Sequence, residues 1–459
     1  MHRLKILILD HQCFIQEGVN GLLAQKDILI HHTAEPREAI RILHENQIDL
    51  ALVNLEHHNL GIKLVNHLKI DYPEIDAMIF DGTGEKKQLF SSFAPDNFVY
   101  ISKPFHWSEI QKRIEQSRSF LNFKTRQKQL DLTFKQFSKI IQEREGFQFI
   151  GISPAIKTVA SMILMVAASD DTSVLITGES GTGKELVARG IHLAGNRYKH
   201  PFHAVNCSAI PESLFESEFF GYHKGAFTGA AEKSTGWFES SNHGTLFLDE
   251  ISELPLSMQS KFLRVLDDKT ISKIGSHQQI KLNLRIVAAT NQNFGKLLSK
   301  NTFREDLFHR LNSFHIHIPP LRERKEDIPI LLDHFVSEIS KRFKKMKNEI
   351  CPDAIEKISN YPFPGNVREL KNMVERAVII AQNEKLKLHH FCIEPGNKPD
   401  PNILPCPENS LILDLVEKNA IIEALNKTRN NKSRAAALLA ISRQALDRKI
   451  TKLNLFKVN

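Results

Sequence analysis

Five short apolar runs punctuate the first 121 residues: LKILILD (4–10), DILIHHT (27–33), DLALVN (49–54), DAMIF (76–80) and FVYISK (98–103). Stretches of helical length, in which apolar and polar residues mix, separate them. Strands this short that alternate with helices predict a doubly wound parallel sheet. Next come apolar positions at spacings of three, four and seven: Trp107, Ile110, Ile114 and Leu121, then Leu130, Phe134, Phe137 and Ile141. The spacing predicts a helical connector over 122–146, whose stripe suits packing on its own domain or pairing with a second copy. A larger α/β block occupies 147–391. The run CIEPGNKPDPNILPCPENS (392–410) has the Pro, Asn and Asp content of a flexible linker. Residues 411–459 read as wholly helical.

At 459 residues the chain exceeds what one core supports, in keeping with several domains. Cys13, Cys207, Cys351, Cys392 and Cys406 show no short metal-ligand spacing. They are expected to be reduced thiols of a cytoplasmic protein. No apolar run reaches the ~20 residues of a membrane helix, and the first residues alternate like a strand, so no membrane partner is expected. The net charge is +8, and its excess falls on the C-terminal segment, where an anionic partner is expected.

The chemistry is densest in the central block. SVLITGESGTGKE runs from an apolar strand to a helix start and carries Gly178, Gly183 and Lys184 in the spacing G-x-x-x-x-G-K. Backbone N–H groups of such a loop, here Gly178, Glu179, Ser180, Gly181, Thr182, Gly183, Lys184 and Glu185, cradle phosphate oxygens, and the lysine neutralises them. Glu185 stands where Ser or Thr usually ligates Mg2+. Further on, GTLFLDE ends a second buried strand with two carboxylates. Asp249 is placed to hold Mg2+ and Glu250 to orient or deprotonate an attacking water.

In the order GESGTGKE, VNCSAIPESLFESEFFGYHKGAFTGA, GTLFLDEI, TFREDLFHRLN, PPLRERKEDI and FPGNVREL, the block closely resembles the sigma-54-dependent transcription activators of the NtrC type. The resemblance implies an AAA+ ATPase with a helical lid, in which Glu185 is the usual residue. It also implies that Asn206 couples Glu250 to nucleotide state and that Asn291 senses the γ-phosphate. Arg304 and Arg310 would be arginine fingers reaching a neighbouring subunit, and Arg368 a second sensor. Fingers acting in trans imply a homo-oligomer, from dimer to hexamer.

GAFTGA, residues 225–230, puts one aromatic ring among glycines and alanines that cannot bury it. Gly225, Ala226, Gly229 and Ala230 let the chain turn sharply and present Phe227 and Thr228 at a loop tip. By resemblance that tip grips the sigma-54 RNA polymerase holoenzyme, with a second contact loop near KIGSHQQIKLNL (273–284). At the C-terminal end, NNKSRAAALLAISRQALDRKITKL resembles a Fis-type helix-turn-helix. Ser433 is expected to cap its first helix and Ser442 its second, with Ala436 and Ala437 allowing close packing. Ala440 stands where a turn glycine is common. Ser442, Arg443, Gln444, Arg448 and Lys449 are the expected contacts to double-stranded DNA upstream of promoters.

Residues 1–121 resemble a response-regulator receiver in strand order and in Lys103-Pro104, yet the switch positions depart from the pattern. Asn54 occupies the place of the phospho-accepting aspartate, His11 replaces an acid, and Asp81 stands where Thr or Ser is usual. An amide cannot form an acyl phosphate, so control by another signal is expected; a one-residue slip of register would bring Glu56 or Asp49 forward instead. A degenerate receiver with an intact GAFTGA and a Fis-type tail resembles the flagellar regulators of the FleQ type, some of which bind cyclic di-GMP near the ATP loop. EREGFQFIGISPAIKTV (143–159) lacks the arginine of that subgroup's signature. The alternative to an ATP-driven activator is a DNA-binding regulator or repressor without promoter remodelling.

Overall fold

The first sheet is built around central strands that are apolar on both faces. In the computed structural model its strands are β1 (Leu4–Leu9), β2 (Ile28–Thr33), β3 (Leu50–Asn54), β4 (Asp76–Asp81) and β5 (Phe98–Ser102), within a residue or two of the expected runs. They form a parallel sheet in the order β2-β1-β3-β4-β5. Alternate residues of β1 feed two cores: Leu7 and Leu9 pack with α1 (Pro36–Glu45) and α2 (Asn59–Asp71), while Leu4, Ile6 and Ile8 pack with Ile110 and Ile114 of α3 (Trp107–Gln116). A sheet covered on both faces needs such near-continuous apolar strands.

The structure describes residues 3–11, 15, 19, 28–55, 59–81, 97–102, 104, 106–146, 148–226, 233–381, 384–391, 421, 428, 431–439 and 441–452. The chain divides into two compact units, residues 1–387 and 388–459.

The connector departs from expectation in one respect. Helix α4 spans Arg118–Glu145 without a break, capped by the Ser117 side chain and ended by Gly146 in the left-handed conformation. The boundary expected at 121/122 therefore lies inside a helix. Leu121, a member of the expected stripe, is 52% exposed, and its neighbour Phe120 enters the core beneath the first sheet instead. Ser119 fastens this end: its N–H donates to Asp76 Oδ2 (2.6 Å) and its hydroxyl to the Asp49 carbonyl (2.7 Å). At the far end Phe137 and Ile141 enter the core of the second sheet.

That second sheet contains β6 (Val174–Thr177), β7 (Phe202–Asn206), β10 (Thr245–Asp249), β13 (Arg285–Thr290) and β14 (Phe314–His317), all parallel, in the order β14-β6-β13-β10-β7. Two hairpins flank it, β8 (Gly221–Tyr222) with β9 (Ser234–Thr235) and β11 (Thr270–Ser272) with β12 (Gln279–Lys281). Helix α5 (Pro154–Ala167) and α6 (Lys184–Ala194) cover one face together with α4. Gly190 of α6 admits the Phe137 ring of α4, because a Cβ there would stand 2.8 Å from Cζ. The other face packs on α7 (Leu256–Asp268) and α8 (Glu305–Leu311). Helices α9 (Ile328–Arg342), α10 (Pro352–Ser359) and α11 (Asn366–Ile380) form the lid. In the second unit α12 (Lys432–Leu438) and α13 (Arg443–Lys452) share a small core of Ile421, Ala435, Ala436 and Leu446. No helix among the described residues is long and apolar enough to cross a membrane.

Candidate active site

The phosphate loop joins β6 to the start of α6, so the free N–H groups of that helix face the loop. Gly181 (φ 77°) and Gly183 (φ 104°) take left-handed conformations, and a Cβ on Gly181 would press into the Gly365 carbonyl. Lys184 is 7% exposed. Its ammonium donates to the Gly178 carbonyl (3.1 Å) and lies 3.5 Å from Glu250 Oε1. Glu185 points along the helix to Arg189 (3.1 Å).

Asp249 ends β10, and burial, followed by the adjacent Glu250 charge, holds its carboxyl above the usual range while Lys184 opposes the shift. Glu250 adopts φ 51°, ψ 50°. A non-glycine residue held there costs of order 1 kcal/mol and turns its side chain out of the strand direction. The backbone N–H of Asn291, just past β13, donates to Glu250 Oε2 (3.2 Å). The structure thus brings Lys184, Asp249, Glu250 and Asn291 to adjacent strand ends. Asn206 lies opposite Asp249 in register, but its side chain bonds Ser208 (3.0 and 2.8 Å) and not Glu250.

The lid closes against the same loop. Arg368 at the start of α11 donates from its backbone to the Gly181 carbonyl (3.3 Å) and from Nη1 to Ser180 Oγ (3.4 Å). Several contacts escaped the sequence reading. Arg322 forms a two-point ion pair with Glu179 (2.6 and 2.8 Å), which is the main reason that this carboxyl sits below its ordinary value. Asn366 Nδ2 donates to Glu179 Oε2 (3.2 Å) and to the Ser180 carbonyl (3.0 Å). Buried Arg324 donates to the Thr182 carbonyl (3.1 Å). Asp327, fully buried, accepts from the N–H groups of Ile152 and Ser153 and from the Ser153 hydroxyl. Their signal was the charge within PPLRERKEDI and FPGNVREL, which composition alone assigns to solvated turns.

Arg304 and Arg310 are not brought to the phosphate loop of their own chain. Arg304 bonds Asp306 (3.1 and 2.7 Å), and Arg310 Nε lies 3.1 Å from Asp267 Oδ1. Among the described residues no group of three or more His, Cys, Asp or Glu side chains is gathered for a metal ion. One carboxylate beside a phosphate loop nonetheless suits Mg2+, which takes most of its ligands from phosphates and water.

In the GAFTGA run, Gly225 has φ 82° and the Ala226 N–H donates to the His223 carbonyl (3.1 Å), as a sharp turn requires. Phe227, Thr228, Gly229 and Ala230 lie outside the described residues. The expected second loop lies alongside: Ile274 donates to the Gly221 carbonyl (3.0 Å) and accepts from the His223 N–H (3.1 Å).

In the first sheet, Asp10, Asn54 and Asp81 sit at the C-terminal ends of β1, β3 and β4. Asn54 Nδ2 donates to Asp10 Oδ1 (3.0 Å), and the Ile15 N–H donates to Asp10 Oδ2 (2.6 Å). Asp49 is at the opposite end of β3, where it accepts from the Lys5 N–H (2.8 Å), which excludes it from the slipped register; Glu56 and Lys103 lie outside the described residues. In the second unit, Ser442 caps α13 through the Ala445 N–H (3.2 Å). Asn431, not Ser433, caps α12, accepting from the Arg434 N–H (3.2 Å), because the helix starts at Lys432 and already contains Ser433. The buried alanines are Ala435 and Ala436; the side chain of Ala437 lies outside the described set. Arg443 and Gln444 are exposed and Lys449 half-buried; Ala440 and the Arg448 side chain lie outside the described set.

Known families match four successive stretches of the chain. Residues 6–115 match the response regulator receiver domain, 149–317 the sigma-54 interaction domain, 322–401 the AAA+ ATPase lid domain, and 412–453 the bacterial regulatory protein, Fis family. Regulatory protein AtoC of Escherichia coli K12 is 35% identical, with 96% of each chain covered. The response regulator protein PilR of Pseudomonas aeruginosa is 32% identical over 99% of this chain and 100% of its own. The crystal structure of NtrX from Brucella abortus in complex with ADP is 29% identical and superposes with a TM-score of 0.56 over 98% of this chain and 99% of its own.

Proposed function

The chain belongs to the NtrC family of sigma-54-dependent activators, with receiver, sigma-54 interaction, AAA+ lid and Fis-type modules, and from that premise we propose how this AAA+ ATPase acts. Residues 411–459 bind double-stranded DNA upstream of promoters, chiefly through Arg443, Gln444, Arg448 and Lys449. The bound chains assemble, as dimers and then a ring up to a hexamer. Residues 147–391 hydrolyse ATP in that ring, and Phe227 and Thr228 carry the resulting motion to the sigma-54 RNA polymerase holoenzyme.

The observation that carries this reading is the meeting of Lys184, Glu250, the Asn291 N–H and Arg368 around one loop. Lys184 neutralises phosphate oxygens. Asp249 would hold Mg2+, which when bound offsets charge on the transferring phosphoryl group. Glu250, held in its turn by Asn291, orients or deprotonates the attacking water. Arg304 and Arg310 project from the neighbouring subunit into this site. Glu250→Ala in the assembled full chain is expected to abolish turnover while ATP still binds; unchanged turnover overturns the assignment. Phe227→Ala is expected to keep turnover and lose capture of sigma-54.

The receiver works without phosphorylation. The Asn54 amide has no nucleophilic carboxylate, and it is engaged with Asp10, the carboxylate that a phosphorylation site would need for Mg2+. Incubation with acetyl phosphate should leave residue 54 unlabelled; a phosphate found there would refute this.

A further inference from the structure

Two histidines outside the proposed machinery converge on one oxygen. His315 and His317 occupy alternate positions of β14, so their side chains leave the same face. Both are exposed. His315 Nε2 lies 2.8 Å and His317 Nδ1 3.1 Å from Thr177 Oγ1, on the last residue of β6. His317 and Thr177 are register partners.

We propose that His315, His317 and Thr177 form a binding site for a divalent transition cation, zinc in the first instance. Zn2+ held by nitrogen and oxygen at 2.0–2.1 Å places neighbouring ligand atoms of a tetrahedron about 3.3 Å apart. The two nitrogen–oxygen separations, 2.8 and 3.1 Å, need only small widening to accept the ion between them. The imidazoles are the principal ligands, the hydroxyl is a third donor, and solvent supplies the fourth. Imidazole nitrogen suits Zn2+, Ni2+ and Cu2+, whereas Mg2+ prefers oxygen. With two strong ligands the site is exchangeable, unlike a closed structural centre.

The cation would join β14 to β6 one residue before the phosphate loop. The two strands already meet closely there: the Ile318 N–H donates to the Thr177 carbonyl (2.8 Å), and a Cβ on Gly178 would stand 2.9 Å from the Ile318 carbonyl oxygen. Occupancy therefore restrains the entry to the loop, and by linkage cation and nucleotide change each other's affinity by the same factor. This coupling rests on the ATP-binding reading; the cation site does not.

The test is equilibrium dialysis of the full chain against ZnCl2 without nucleotide, with excess MgCl2 as competitor. The wild type should hold one zinc equivalent more than the double variant His315→Ala, His317→Ala, and MgCl2 should not displace it. An unchanged count overturns the site. Because a double variant can misfold, His315→Cys loaded with Co2+ supplies a gained signal. A thiolate-to-metal absorption band absent from the wild type places the ion at position 315, and its absence, in protein that still binds ATP, overturns the proposal. ATP affinity should shift several-fold with zinc in the wild type and not in the double variant; equal affinities would refute the coupling alone.

Discussion

Asp327→Ala should be among the most destabilising single changes in the ATPase block. Asp327 Oδ1 accepts from the N–H groups of Ile152 (2.6 Å) and Ser153 (2.7 Å), and Oδ2 accepts from the Ser153 hydroxyl (2.7 Å). The side chain is wholly buried and Ser153 is 1% exposed. Each hydrogen bond to a charged acceptor contributes about 1.5–3 kcal/mol, and a buried donor left alone costs a similar amount. Counting the Ile152 N–H as partly rescued by water, the loss comes to about 3–5 kcal/mol. Arg324 adds to it. Burial depresses its guanidinium, and Asp327 is the charge that opposes this; without it a buried cation keeps only the Thr182 carbonyl. Asp327→Asn retains one acceptor oxygen and should lose roughly half as much.

Equilibrium unfolding in denaturant, in a Trp107→Phe background, measures this, because Trp237 packs on the core of the block and becomes the sole tryptophan. A loss below about 1 kcal/mol with an unchanged denaturant slope would refute the argument that this carboxylate ties the lid to the start of the block.

Three further outcomes follow from contacts elsewhere in the chain. His192 is buried against the Thr245 hydroxyl (3.0 Å), and burial, helped by Arg189, His200 and Arg285, lowers its pKa to about 4. The unfolded chain therefore takes up a proton below pH ~6.5 that the folded chain refuses, so stability falls as pH drops from there to about 4, by about 3 kcal/mol in total. Melting of His192→Gln against the wild type across that window should show a shallower acid loss in the variant; parallel curves would contradict it. Gly190→Val overfills the notch that holds Phe137 and should cost about 1–3 kcal/mol by the same tryptophan assay, while no loss would mean that the ring moves freely aside. Asn431→Ala should weaken the start of α12 by about 1 kcal/mol and Ser433→Ala by far less, read as hydrogen exchange over 431–438 in the full chain; the reverse order would restore Ser433 as the cap.

Short apolar runs were enough to place all five strands of the first sheet: β1, β3 and β4 are buried on both faces and leave a nearly continuous apolar signal, while the edge strands β2 and β5 are half-buried and still keep short apolar runs. The phosphate loop and the strand ending at Asp249 were legible for a related reason, since glycines and paired carboxylates sit at positions that backbone geometry dictates. Contacts between distant segments were not. Nothing local marks Asp327 as the acceptor for Ser153, or Arg322 as the partner of Glu179. Isolated charges carry no period, and their meaning depends on which loops the topology brings together. The apolar stripe pauses between Leu121 and Leu130, so spacing alone does not show that one helix runs through both. Yet no Gly or Pro occurs from Arg118 to Glu145, and nothing in that run could have ended a helix.

The uninterrupted α4 makes spacing in this protein a matter of rotation as well as reach. A rod of 28 residues is about 42 Å long, and each residue added to it turns one end against the other by about 100° and lengthens it by 1.5 Å. Seven inserted residues nearly restore the original facing; two reverse it approximately. With Ser119 hydrogen-bonded to one sheet and Phe137 packed into the other, a change in length preserves the facing of the two sheets only when it completes whole turns.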